Sequence, residues 1–279
     1  MGIRIIVDST ADMTAQVEKQ VAVVPLTVRF GDKEYVDGVD IDATRFYEML
    51  VSNQELPSTS QPTPFDFEKR FAEAVAAGDS VVCLTISARL SGTYQSASIA
   101  AEAFPGRVFV VDSRNVTIGT GVLAARAVQL RQQGLTAEAI ARELESCRER
   151  VHLIAMVDTL EYLKKGGRIS SAVALAGGLL NIKPLLTMRD GELIMADKAR
   201  GVKNGIQKFL ELIGKTGGID PEKPLLLGYT GNDPALLRQL IAEGAALWPE
   251  EEPDWAVVGS VVGTHAGPGA ITGAFFAKV

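Results

Sequence analysis

Short apolar runs alternate with amphipathic segments through the first half of the chain, and this alternation restricts the fold more than any other feature. Runs such as Arg4–Val7 and Val81–Ile86 have the length of buried strands, and helical patterns follow over about 93–103 and 118–133. A further strand is predicted over 23–30. Parallel strands need such crossover helices, which cover both faces of the sheet. The first half therefore predicts an α/β fold, a parallel-sheet α/β/α sandwich.

The second half adds antiparallel pairing, because a hairpin is predicted over 183–188 and 192–197. Its other predicted elements are helices near 160–165, 171–179, 202–213 and 234–247 and strands near 153–157, 225–229, 256–262 and 272–278. We place the domain boundary near residue 150. This gives an N-terminal α/β domain over 1–150 and a C-terminal α/β domain with a mixed sheet over 151–279.

Composition narrows the class of protein. Hydrophobic residues make up 47% of the chain, which supports a large core, but the apolar run 172–180 is far shorter than the roughly 20 residues that span a bilayer. The net charge of −6 is opposite in sign to that of most nucleic-acid binders. Cys83 and Cys147 are too isolated for a disulfide framework or a zinc site, and no signal-peptide pattern follows Met1. We expect a cytoplasmic protein without bound nucleic acid, metal or stable membrane insertion.

The segment from Ile86 to Ser96 passes from a predicted strand through a short loop into a helix that begins at Gly92 or Thr93. Helix N-termini at the carboxyl ends of parallel strands offer N–H groups to an anion, and Ser91 adds a hydroxyl there. A helix cap explains the same serine. Local sequence therefore leaves a capping role and a ligand role open for Ser91.

Hydroxyl, amide and proline residues fill segment 57–64, which reads Pro-Ser-Thr-Ser-Gln-Pro-Thr-Pro. The prolines stiffen the segment and oppose regular secondary structure. Thr63 and Asp66 match a capping box at the start of the next helix. An ordinary helix-entry loop and a ligand-binding loop both fit this segment.

One of the two histidines, His265, lies in the glycine-rich segment 263–270, where the backbone can approach a ligand closely. A hydrolase pair of Ser91 and His265 lacks the G-x-S-x-G elbow, because Arg89 and Thr93 occupy its glycine positions. We interpret His265 as a hydrogen-bond donor or proton carrier beside an acidic ligand.

Basic residues cluster in the second half despite the net negative charge. Nine basic residues and three acidic residues lie between Lys164 and Lys208, and Arg168 follows a Gly-Gly pair within this stretch. A solvated basic face and a docking surface for a phosphate or an acidic partner both remain open.

Six segments together resemble signatures of the DegV family, in the order found in that family. They are Val-Asp-Ser-Thr-Ala-Asp at 7–12, Thr-Ser-Gln-Pro at 59–62, Leu-Ser-Gly-Thr-Tyr-Gln-Ser-Ala at 90–97, Leu-Lys-Lys-Gly-Gly-Arg-Ile-Ser at 163–170, Leu-Asn-Ile-Lys-Pro at 180–184 and Gly-Thr-His-Ala-Gly-Pro-Gly at 263–269. Each segment is short, but six in order are specific.

The resemblance implies two α/β domains with a long-chain fatty acid in a tunnel between them. It implies that hydroxyls of Thr59, Ser60 and Ser91 bind the carboxylate, assisted by the helix N-terminus at Gly92. The family's histidine corresponds to His265, near the head group. The implied ligand is palmitate or an unsaturated analogue.

The resemblance also implies a role as the fatty-acid-binding subunit of a bacterial fatty acid kinase. A separate ATP-binding subunit would phosphorylate the carboxylate, and the acyl phosphate would feed phospholipid synthesis. The basic segment around Arg168 and Arg200 would then contact the kinase or the phosphate. This chain would need no catalytic residue and no cofactor of its own.

Two other kinds of function fit the same segments. One is an enzyme that acts alone, either an acyl hydrolase that uses Ser91 and His265 or a phosphotransferase. The other is a lipid-sensing regulatory protein, in which the basic segment docks a different partner. Turnover of acyl esters without a partner would distinguish the hydrolase, and ATP binding by the isolated chain would distinguish the phosphotransferase.

Overall fold

A computed structural model describes residues 2–53, 55–169, 181–250 and 252–278. Its strands are β1 (Ile3–Asp8), β2 (Ala22–Val24), β3 (Thr27–Phe30), β4 (Lys33–Val36), β5 (Ser58–Ser60), β6 (Ser80–Thr85), β7 (Val108–Asp112), β8 (Val151–Met156), β9 (Ile182–Arg189), β10 (Glu192–Arg200), β11 (Leu225–Tyr229), β12 (Trp255–Val257) and β13 (Ile271–Phe276).

The described helices, in chain order, are α1 (Ala15–Glu18), α2 (Ala43–Ser52), α3 (Pro64–Ala76), α4 (Thr93–Ala101), α5 (Ile118–Gln132), α6 (Ala137–Cys147), α7 (Glu161–Lys165), α8 (Val202–Lys215), α9 (Ala235–Glu243) and α10 (Ser260–Ala266). None of these helices combines the length and the apolar character that a membrane crossing requires. The helix predicted over 171–179 lies outside the described residues.

Four parallel strands form the first sheet, in the order β2-β1-β6-β7. Alternate residues of β1 face opposite sides, because side chains alternate along a strand. Ile6 packs with Phe71 of α3 on one side, and Val7 packs with Leu123 of α5 on the other. Helices therefore cover both faces, which confirms the predicted α/β/α sandwich.

Six strands form the second sheet, in the order β10-β9-β8-β13-β11-β12, and every pair is antiparallel except β11 with β12. Phe209 of α8 and Leu240 of α9 pack on one face. Helix α5 contacts β8, β11 and β13 as well as the parallel sheet, so it lies between the two sheets. The mixed sheet of the second half is confirmed. The boundary near residue 150 stays a prediction.

A third sheet, with antiparallel order β4-β3-β5, corrects two predictions. The strand predicted over 23–30 is two strands in different sheets, because Pro25 has no N–H and cannot continue the ladder. The segment 57–64 is more regular than its prolines suggest, because its central residues form β5 and Thr59 pairs with Val28.

The strand predicted over 256–262 is also wrong. β12 ends at Val257, and helix α10 begins at Ser260. The N–H of Gly259 donates to Asp12, and the hydroxyl of Ser260 donates to Asp37. Both acceptors lie more than 200 residues away in the chain. The Val-rich sequence of segment 256–262 therefore does not indicate these hydrogen bonds.

Substitution of a buried and an exposed phenylalanine of α3 tests which side chains form the core. Phe71 is fully buried, whereas Phe65 is 71% exposed. We expect Phe71→Ala to lower the free energy of unfolding by about 3–5 kcal/mol through lost burial and a cavity. Phe65→Ala should change it by less than about 0.5 kcal/mol. Urea denaturation measures both, and equal losses would contradict the packing described above.

Candidate functional site

A cavity lies where the carboxyl edge of the parallel sheet meets one face of the mixed sheet, the usual edge for ligands in such folds. Thr10 and Ile86, which follow β1 and β6, form part of one wall. Leu153, Ala155 and Val157 form part of the other, because side chains two residues apart share a face. The cavity volume is about 100 Å³.

Helix α10 and the β9–β10 hairpin complete a wall that is mostly aliphatic. Val261 and Val262 face the cavity from α10, and Leu186 and Leu193 face it from the hairpin. Further apolar lining residues are Leu26, Leu90, Val116, Leu163, Val258, Ala266 and Ala270. This interior suits a hydrocarbon chain.

Polar side chains meet at the mouth of the cavity. Oγ1 of Thr59 lies 3.0 Å from Nε2 of His265, and both residues line the cavity together with Ser91 and Arg168. Nε of Arg168 donates to the carbonyl of Leu90, next to Ser91, at 3.3 Å. Arg168 is exposed, so these four side chains mark the end of the cavity that opens to solvent.

The segments 59–62 and 90–97 both reach the mouth because they contact one another. Nε2 of Gln61 donates to Oγ of Ser96 at 3.1 Å and so ties the Thr-Ser-Gln-Pro segment to α4. The Gln61 side chain passes over Gly92, where an added Cβ would lie 2.3 Å from Oε1 of Gln61. Gly92 is thus placed for this docking and does not line the cavity.

Ser91 precedes Gly92, the N-cap residue of α4, and its ligand role stays a prediction. Its Oγ accepts a hydrogen bond from the N–H of Thr93, the first residue of α4, and lies 2.8 Å from Oγ1 of Thr93. The same residue lines the cavity. A local hydrogen bond to α4 therefore holds the hydroxyl beside the mouth.

His265 occupies the last turn of α10 and is uncharged at neutral pH. Burial, together with a smaller effect of the positive charge of Arg168, lowers the pKa of its imidazole to about 4. Among the described residues, Nδ1 is buried without a hydrogen-bond partner. The neutral ring carries one N–H donor, which suits contact with an anion.

Besides Gly92, two predicted site residues do not join this cluster. Ser60 is exposed and neighbours Thr59 on β5, so its side chain leaves the strand on the opposite face. Arg200 ends β10, is exposed and does not line the cavity. Thr59, Ser91, His265 and Arg168 are the predicted residues that the structure brings together.

Buried threonines are the lining residues that the sequence interpretation misses. The hydroxyl of Thr10 donates to Asp8, that of Thr117 to Asp12, and that of Thr272 to the carbonyl of Ile154. Thr10 follows β1 within the 7–12 segment, which is a usable signal. No sequence motif marks Thr117 or Thr272, because their positions in the cavity wall depend on residues that are distant in the chain.

The described residues contain no cluster of side chains that could bind a metal ion. Over residues 2–53, 55–169, 181–250 and 252–278, no three His, Cys, Asp or Glu side chains converge on a common point. The side chains at the mouth supply hydroxyls, one neutral imidazole and one guanidinium.

Comparison with known proteins identifies the family. The profile described as "Uncharacterised protein, DegV family" matches residues 2–278. A DegV domain-containing protein from Deinococcus radiodurans is 38% identical over 97% of each chain.

Solved structures agree in fold along the whole chain. A DegV family protein from Thermus thermophilus, described for its fatty acid binding, is 36% identical, with a TM-score of 0.89 over 100% of both chains. DegV from Bacillus subtilis, described as a fatty acid binding protein, is 30% identical, with a TM-score of 0.85 over 100% of both. These matches confirm the resemblance found in the six segments. The chain belongs to the DegV family.

Proposed function

We propose that this chain binds a long-chain fatty acid, such as palmitate or an unsaturated analogue, with its carboxylate at the mouth of the cavity. The observation that carries the proposal is the meeting of Thr59, Ser91, His265 and Arg168 at the open end of a mostly aliphatic cavity. The likeness to two proteins described for fatty acid binding supports the ligand class.

Hydrophobic burial supplies most of the binding energy in this proposal. Each buried methylene contributes roughly 0.8 kcal/mol, so about fifteen methylenes contribute on the order of 10 kcal/mol before entropy is deducted. A carboxylate taken from water needs several donors to offset its desolvation. The hydroxyls of Thr59 and Ser91, the N–H of His265 and the guanidinium of Arg168 can meet that need.

The same mouth suits transfer of a phosphoryl group to the bound acid by a separate subunit. Arg168 is the one charged side chain of the cluster, and it lies at the solvent side, with the exposed Lys164 and Lys165 near it in sequence. The carboxylate is not locked in a fully buried ion pair, so an oxygen stays available as the nucleophile.

In the proposed reaction, a carboxylate oxygen attacks the γ-phosphorus of ATP held by the kinase subunit. The new P–O bond gives the acyl phosphate, and the bond to the β-phosphate oxygen breaks to release ADP. This chain acts as the acyl carrier, and the acyl phosphate feeds phospholipid synthesis. Arg168 can stabilise the charge on the transferred phosphate, since guanidinium groups bind phosphate oxygens well.

Geometry argues against a hydrolase that uses Ser91 with His265. Within the described chain, Nε2 of His265 pairs with Thr59 and Oγ of Ser91 pairs with Thr93. A nucleophile and its base need a direct hydrogen bond, and these pairings leave the two residues without one. The carrier function therefore fits the site better.

Thr59→Val tests the binding site, because it removes the hydroxyl and keeps the branched shape. A hydrogen bond to a charged group contributes about 1.5–3 kcal/mol, so we expect palmitate affinity to fall about 10-fold or more. Titration calorimetry on delipidated protein measures the affinity. Ser58→Ala, at the adjacent and exposed position on β5, serves as the control and should bind normally. Equal affinity of both variants would place the carboxylate elsewhere.

A reconstitution assay tests the carrier function. We expect acyl phosphate to form, detected by mass spectrometry, when ATP and a bacterial ATP-binding fatty acid kinase subunit are added to the palmitate-loaded chain. The loaded chain with ATP alone should form none. Hydrolysis of acyl esters or of ATP by the isolated chain would support the stand-alone enzymes instead.

A further inference from the structure

The carboxylate of Asp12 joins two walls of the cavity although it does not line the cavity itself. Asp12 follows β1 and is 9% exposed. Its Oδ1 accepts the N–H of Gly259, the residue before α10, at 2.8 Å. Its Oδ2 accepts the hydroxyl of Thr117, the cavity-lining residue before α5. One carboxylate thus fastens the starts of two helices.

This arrangement has costs that a simple helix cap would avoid. Burial raises the pKa of Asp12 to about 7, and its hydrogen bonds to Thr117 and Gly259 offset only part of that effect. Thr117 has φ 50° and ψ −130°, a strained conformation for a β-branched residue. Serine or asparagine caps a helix as well as aspartate does. The costs therefore indicate a role beyond capping.

The position of α10 decides where the histidine of the mouth lies. The helix has only seven residues, and His265 is in its last turn. A second carboxylate, that of Asp37, accepts the hydroxyl of Ser260 at the helix start. Because α10 is short, a shift or rotation of its first residue is carried directly to His265 and changes the contact with Thr59.

We infer that Asp12 is a positioning residue of the fatty-acid site, which holds α10 and Thr117 so that His265 stays within reach of Thr59 and of the ligand carboxylate. The inference rests on the proposed fatty-acid binding. Asp12 acts on the ligand only through these residues, since it has no contact with the cavity interior.

Asp12→Asn tests the inference, because it keeps the size of the side chain and replaces one acceptor oxygen by an NH₂ donor. The side chain then cannot accept from both Gly259 and Thr117. Asp42→Asn is the matched control. Asp42 caps α2 by accepting the N–H of Arg45, does not line the cavity, and undergoes the same carboxylate-to-amide change.

Three measurements are made on the wild-type chain and both variants. They are thermal unfolding without ligand, palmitate affinity by calorimetry, and the imidazole pKa of His265 by NMR, with His152 as the internal reference. We expect Asp12→Asn to remain folded, to bind palmitate about 10-fold or more weakly, and to move the His265 pKa from about 4 towards 6.5. Asp42→Asn should match the wild type in affinity and in the His265 pKa.

The outcomes separate the inference from the proposed function. A wild-type chain that does not bind palmitate overturns the proposed function. A wild type that binds and an Asp12→Asn variant with the same affinity and the same His265 pKa overturn the positioning role. If Asp12→Asn does not fold, Thr117→Val removes one of the two hydrogen bonds while keeping the branched shape. Unchanged affinity and an unchanged His265 pKa in that variant overturn the role as well.

Discussion

The burial of helix α5 between the two sheets is the constraint on which the cavity depends. Its side chains share one apolar cluster with β1 and β6 on one side and with β8, β11 and β13 on the other. Close packing needs Gly121, where an added Cβ would lie 1.9 Å from the carbonyl oxygen of Asp12. Because α5 fixes the separation of the sheets, the space beyond its N-terminus at Thr117 stays open as a lined cavity.

In the proposed function, mainly uncharged groups bind the ligand carboxylate at the mouth of that cavity. Thr59 and Ser91 supply hydroxyls, and burial keeps the His265 ring neutral by lowering its pKa to about 4. The one cation, Arg168, is exposed, so its field is screened by water. Such a site offsets the desolvation of a carboxylate without holding it in a buried ion pair. This balance suits a carrier whose ligand must still react.

The sequence predicts much of this arrangement, and the failures have physical reasons. The alternation of strands and helices predicts the parallel sandwich, and short segments in a fixed order identify Thr59, Ser91, His265 and Arg168. Helix α10 is missed because Asp12 and Asp37, which bind its first residues, are distant in the chain. Ser60 and Arg200 fall outside the mouth because side-chain alternation and strand length, not proximity in sequence, decide which side chains reach it. Thr272 enters the wall through sheet pairing alone.

A crystal structure of the chain with bound palmitate would show whether the carboxylate lies at the mouth of the cavity. We expect electron density for the carboxylate within roughly 3.2 Å of the Thr59 hydroxyl. The acyl chain should run along Leu153, Ala155 and Val157. Density for the acyl chain outside this cavity, or with its methyl end beside Thr59 and His265, would contradict the account.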